Sequence, residues 1–378
     1  MDLPDTDLPD EAPPRDNRAH DSGAQDGRAQ DSAATEAPQS PTTTDLLADS
    51  HQANRGGTAT SEPTKRGKRV VRPGDLIFAG ASRGSGILLL VVMAAIATFL
   101  TIRSVNAISV DHGNFFTTSG FDIEDTPMVF GMSALVLGTV VSAVVAMVLA
   151  VPVSIGVALF ISHLAPRRMA QALGYVVDLL AAVPSIVYGL WGALFLVPHM
   201  LGVNAWLNQY FAWTYVFKQD YAGDQPRSLF TVGVLLAIMI LPIVTAVTRE
   251  IFLQVPRAHE EAALALGATR WEVIRTAVLP FARSGIISAS MLGLGRALGE
   301  TMAVATVLSP SLVLSLHITD PGGSTIAQNI ATQFGDALGS GRDALIASGL
   351  VLFIITLLVN GGARLIIARR KDYSGANA

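Results

Sequence analysis

The chain has 378 residues, 50% of them hydrophobic and only 15% charged, with a mean hydropathy of +0.45. That balance is too apolar for an ordinary soluble domain of this length. Lys and Arg number 26 against 30 Asp and Glu, and there is no cysteine, which excludes disulfides and thiolate sites; no basic domain is present to take nucleic acid as a partner.

Residues 1–70 read as a disordered, acidic, cytoplasmic tail. They are rich in Asp, Ala, Pro, Ser, Thr and Gly, and too poor in large apolar side chains to offset the entropy of ordering. Weak pentads start at Asp21, Asp26 and Asp31, and Leu3-Pro4-Asp5 recurs as Leu8-Pro9-Asp10. The tail has neither the basic region nor the apolar core of a signal peptide. It is read either as a tethering segment or as a solvated extension.

Residues 71–372 read as an all-α, polytopic membrane domain. A bilayer core takes about 20 apolar residues as helix. Six spans meet that length, at about 85–103, 132–162, 172–197, 229–248, 284–308 and 344–367. Pro152, Pro184 and Pro242 fall inside spans and are expected to bend them. Basic residues precede span one (Lys65, Arg66, Lys68, Arg69, Arg72, Arg83) and recur after spans two (Arg167, Arg168), four (Arg249, Arg257, Arg270, Arg275, Arg283) and six (Arg369, Arg370, Lys371). The alternate loops carry Asp111, Asp122, Glu124, Asp125, Asp220, Asp224, Asp320 and Asp336. Excess Lys and Arg mark cytoplasmic loops, so both termini are assigned to the cytoplasm.

The loop between spans four and five, residues 250–282, is then cytoplasmic. Pro256 suits a first helical turn, Glu260 and Glu261 lead an Ala/Leu run with Ala262 and Ala263, and Gly267 is a natural stop. Thr269 with Glu272 three residues on reads as a capping box opening a second helix, which Pro280 is expected to end. Short helices of this kind are marginal alone and need a partner groove.

The pattern Glu261-Ala262-Ala263, three residues, Gly267, then Leu279-Pro280 resembles the EAA loop of ABC importer permeases; Ala277 stands where the family commonly has Ile. Two further stretches, Ala182-Val183-Pro184-Ser185-Ile186-Val187-Tyr188-Gly189-Leu190-Trp191-Gly192 and Gly295-Arg296-Ala297-Leu298-Gly299-Glu300-Thr301-Met302-Ala303-Val304, resemble the phosphate-specific permeases, the PstC type more than the PstA type. The resemblance covers about residues 80–370. It implies a type I importer fold, a loop (Glu260, Glu261, Ala262, Ala263, Gly267) seated on an ATPase, and a chain that is not itself an enzyme. The implied partners are a PstA-like second permease, a PstB-like ATPase dimer and a PstS-like phosphate-binding protein, in a plasma membrane.

Arg296 lies deep in span five, where an arginine costs about 2.5–3.5 kcal/mol and is a functional candidate by default. Glu300, four residues on, is expected on the same helix face and within reach. The pair reads either as a self-neutralising ion pair or as a path site whose guanidinium fork meets a phosphate-type oxyanion. In the resembled family the matching positions are implicated in phosphate passage.

Other signals carry nothing. Gly80-Ala81-Ser82-Arg83-Gly84 matches a hydrolase pattern but sits at a membrane edge without a strand–turn–helix elbow. Gly293, Gly295 and Gly299 follow no strand and suit close helix packing. No Walker pattern occurs, so no nucleotide or other cofactor is assigned, and the seven histidines lack metal-ligand spacing. His259, just before the Glu pair, is read as a solvated surface residue, with contact to the partner ATPase as the alternative. Trp206, Tyr210 and Trp213 are assigned to an outer loop, where they anchor in the interface or dock a binding protein. A permease for another oxyanion (sulfate, molybdate) and an intramembrane hydrolase remain the alternatives.

Overall fold

In lipid only a helix or a closed barrel satisfies every backbone N–H and C=O, so the apolar runs become helices. The computed structural model describes residues 73–110, 113–115, 118–122, 129–218, 226–312 and 314–371, all within one unit that begins at Arg72. The tail 1–70 and the acidic residues Asp111, Glu124, Asp125, Asp220 and Asp224 lie outside the described residues.

Among the described residues six helices are long and apolar enough to cross a membrane: Ile77–Ser109, Ser133–Leu164, Ser185–Thr214, Leu229–Leu253, Arg270–Leu298 and Gly339–Leu365. Regular strand among the described residues is confined to a two-residue antiparallel pair, β1 (Phe121–Asp122) with β2 (Val129–Phe130), so the fold class is all-α.

Span one is α1 (Pro73–Val110). Span two is α2 (Ser133–Leu159), extended by a π-turn over Phe160–Leu164. Its 32 residues reach roughly 48 Å at about 1.5 Å per residue, well beyond a hydrocarbon core of about 30 Å. Span three is not the single helix expected over 172–197. It is divided into α3 (Arg167–Ala181) and α4 (Ser185–Trp191), and a π-turn at Gly192–Leu196 leads on into α5 (Val197–Phe211). Trp206 and Tyr210 therefore stand exposed on a helix and not in a loop.

Span four is α6 (Leu229–Leu253), capped by Ser228, whose Oγ accepts the Thr231 N–H. Pro152 and Pro242 stay inside α2 and α6, whereas Pro184 falls at a break. The loop between spans four and five carries α7 (Arg257–Ala265) and α8 (Arg270–Val273), and span five is α9 (Leu279–Leu298), followed by α10 (Met302–Val307). The segment between spans five and six holds α11 (Ile326–Gln333), and span six is α12 (Gly339–Lys371).

The core sits where α2 and α6 lie against each other. Ala143, Ala146 and Ala150 face Val232, Leu235, Leu236, Met239 and Ile240, all buried. Small residues bring the backbones close, the usual device where lipid removes any hydrophobic drive between helices. Ser154 Oγ donates to the Leu241 carbonyl across the seam at 3.1 Å. At the far end of α2 the Ile326 N–H donates to Thr139 Oγ1 at 2.9 Å, and Gly138 lies directly against the Ser324 carbonyl.

A Cβ at Gly138 would collide with that backbone oxygen, which cannot rotate away. Gly138→Ala is therefore expected to lower stability by about 1–3 kcal/mol, the usual range for overpacking. A thermal melt of the detergent-solubilised protein would register this as a lower Tm; an unchanged Tm would mean that the Ser324 segment yields without penalty.

Candidate functional site

Two helix breaks face each other. In span three, Pro184 removes a donor and disfavours helix at Val183, so α3 ends at Ala181. The Tyr188 hydroxyl spans the break and donates to the Leu180 carbonyl at 2.9 Å. In span five, Gly299 ends α9 and Met302 begins α10. Gly189, just past the first break, is pressed against α10, where a Cβ would lie 2.6 Å from Thr306 Oγ1 and 2.9 Å from Ala303 Cα. The two sequence stretches that carried the phosphate-permease resemblance are thus packed together. Interrupted helices expose backbone dipoles inside a bundle, and transporters build ion sites there.

The expected Arg296–Glu300 pair on one helix face does not form. Glu300 lies beyond the end of α9 and makes no ion pair with Arg296. Its buried carboxylate, 9% exposed, instead accepts the Ala303 N–H at 3.2 Å and so caps α10. The physical reason is Gly299: the helix stops there, and a carboxylate three residues before an orphan N–H is a good N-terminal partner.

Arg296 remains on α9, and its Nε is buried without a hydrogen-bond partner. It lines a cavity of about 1160 Å³ between spans one, four, five and six. Leu89, Met93, Leu292 and Phe353 form apolar walls; Ser288, Asn360 and Arg364 supply polar groups, and no acidic residue lines it. The sequence reading missed Arg364 and Asn360. The signal was available, because an arginine at 364 falls inside the expected span 344–367 and intramembrane arginines merit a role.

The loop between spans four and five is a helix–turn–helix. Gly267, with φ +85, takes the left-handed conformation that ends α7, and its N–H donates to the Leu264 carbonyl at 2.9 Å. Thr269 and Glu272 form the capping box in both directions, with the Thr269 N–H 2.7 Å from Glu272 Oε2. Pro280, however, does not end the second helix. A π-turn over Ile274–Val278 joins α8 to α9, and Pro280 sits in the first turn of α9, where a missing N–H is tolerated. Glu261 and Ala262 are exposed, and Glu260 and Ala263 half-buried. Leu266, 91% exposed, and Trp271 add an apolar surface that the sequence reading had not singled out. The His259 ring is tilted against that of Phe281, 6.0 Å between centroids.

A family model described as "Binding-protein-dependent transport system inner membrane component" matches residues 150–372. The phosphate transport system permease protein PstC 2 of Mycobacterium tuberculosis is 45% identical over 305 residues, 79% of this chain and 93% of that protein. The chain belongs to the PstC family of transport permeases. A second PstC relative, from Mycobacterium leprae, is 44% identical over 82% of this chain and 98% of its own length. Among solved structures, an inward-facing MetNI methionine ABC transporter covers 63% of this chain and 96% of its own at 15% identity, with a TM-score of 0.46. The residues matched by the permease model take in α7, both helix breaks, Arg296 and Arg364. As a PstC-family member the chain is a multi-pass transport subunit and not an enzyme.

Proposed function

We propose that this chain is one permease subunit of an ATP-driven importer that moves inorganic phosphate inward across the plasma membrane. Both termini and the 250–282 loop would be cytoplasmic, with residues 71–372 as the permease domain and 1–70 as its cytoplasmic tail. A PstA-like permease would complete the pathway, a PstB-like ATPase dimer would receive α7 through Glu260, Glu261, Ala262, Ala263 and Gly267, and a PstS-like protein would deliver the anion. Lipid would surround the outer faces.

The observation that carries this reading is Arg296, a guanidinium with an unsatisfied buried Nε near the end of the interrupted span five, facing a cavity free of acidic lining residues. Such a fork suits a tetrahedral oxyanion. Glu300, by capping α10, fixes the break just beyond Arg296. Arg364 on the same cavity offers a second cation nearer the cytoplasmic end of span six.

The reading is tested by uptake of labelled phosphate in a strain from which the subunit has been deleted. The chain is expected to restore uptake, with excess sulfate or molybdate leaving it unchanged. Strong competition by either anion would favour the alternative cargo.

A further inference from the structure

The cytoplasmic loop is covalently continuous with spans four and five only. Span two reaches it by another route. The π-turn Phe160–Leu164 ends α2, and its extra residue rotates the following side chains away from an α-helical course. His163 sits in that turn, its side chain 14% exposed, with Nε2 3.6 Å from Glu260 Oε1 in the first turn of α7. The ring is held from two other sides. Nδ1 lies 2.7 Å from Ser162 Oγ, and the ring stands edge-on to Phe252, 6.1 Å between centroids at 84°.

Phe252 is 1% exposed and belongs to a buried cluster with Ala158, Val255, Val278 and Ala282, drawn from the ends of spans two, four and five. Ser162 Oγ donates to the Ala158 carbonyl at 2.8 Å, so its proton is committed and its oxygen is left to accept from Nδ1, while Nε2 faces Glu260 at ion-pair distance. A ring so fixed is a rigid arm and not a surface side chain.

We infer that His163 is a positioning residue that ties α7 to span two, so that motion of α7 against an ATPase is delivered to span two as well as along the chain. The far end of the same helix holds the outer segment through Thr139 and Gly138, against Ile326 and Ser324. Span two thus runs as one rod from the ATPase-facing loop to the opposite side of the membrane. This role goes beyond docking of the loop and does not depend on which anion is carried.

The test uses the assembled complex in proteoliposomes and reads phosphate moved per ATP hydrolysed, a ratio insensitive to how much complex assembles. His163→Gln and Glu260→Gln are each expected to lower it about 5-fold or more, within the usual range of couplings between sites. The double variant is expected to be no worse than the worse single one, the signature of one shared contact. His163→Lys, which keeps a donor toward Glu260, should recover part of the ratio. Unchanged ratios in both single variants, or a double loss equal to the product of the two, would overturn the inference. If the wild-type complex hydrolyses ATP without moving phosphate, the cargo assignment fails while the tie can still be read. The chain has no cysteine, so spin labels at Val144→Cys and Leu253→Cys report the distance between spans two and four. An ATP-driven change in that distance that His163→Gln leaves intact would again overturn the inference.

Discussion

Arg296→Gln is expected to cut phosphate uptake by at least about 10-fold in a complex that still assembles. A hydrogen bond to a charged group contributes about 1.5–3 kcal/mol, and about 1.4 kcal/mol is tenfold. The variant removes the fork without removing a structural partner, because Arg296 makes no ion pair and leaves its Nε unsatisfied. Arg296→Lys keeps the charge and loses the planar two-donor geometry, so it should fall between wild type and Gln. Arg364→Gln, at a more exposed residue of the same cavity, should have the smaller effect of the two arginine-to-glutamine changes. Initial rates with labelled phosphate would rank these variants, and normal transport by Arg296→Gln would remove this arginine from the path.

Ala262→Trp is expected to abolish capture of the ATPase while leaving insertion of the permease intact. Ala262 is exposed on α7, so a large side chain meets nothing within the subunit and must be accommodated by the partner groove. Loss of a central interface contact commonly exceeds about 2 kcal/mol, roughly 30-fold in affinity. Co-purification of the ATPase with the tagged permease measures it directly. Retention at wild-type levels would mean that this face of α7 is not the docked one. Leu266→Asp offers a second probe of the same surface, since that leucine is 91% exposed and its replacement disturbs no contact.

The six-span count was legible because each span is a long apolar run of a length only a membrane requires. The capping box at Thr269 and the stop at Gly267 were legible too, since both are local chemistry. What escaped was where apolar runs are interrupted. Hydropathy is indifferent to a missing hydrogen bond, so spans three and five read as continuous although Pro184 and Gly299 divide them. The error at Glu300 followed directly: a spacing of four residues implies a shared face only while the helix persists. The π-turns left no signal because one inserted residue changes neither composition nor the apolar run. They decide where His163 faces and let α8 continue through Pro280. Arg364 was overlooked for a different reason, lying five residues before a basic cluster that drew attention to the membrane edge.

The glycine and alanine seam between α2 and α6 also sets what can move. Gly233 against Val145 and Gly138 against the Ser324 carbonyl leave no slack for sliding, and Ser154 pins the two backbones near Pro242. Sliding of α2 along α6 is thereby blocked, and what is left to them is a change of crossing angle about the seam. Span one, with none of its apolar window buried, has no such interlock. Alternating exposure of a path is therefore a matter of tilting about this seam against looser neighbours, and not of sliding along it.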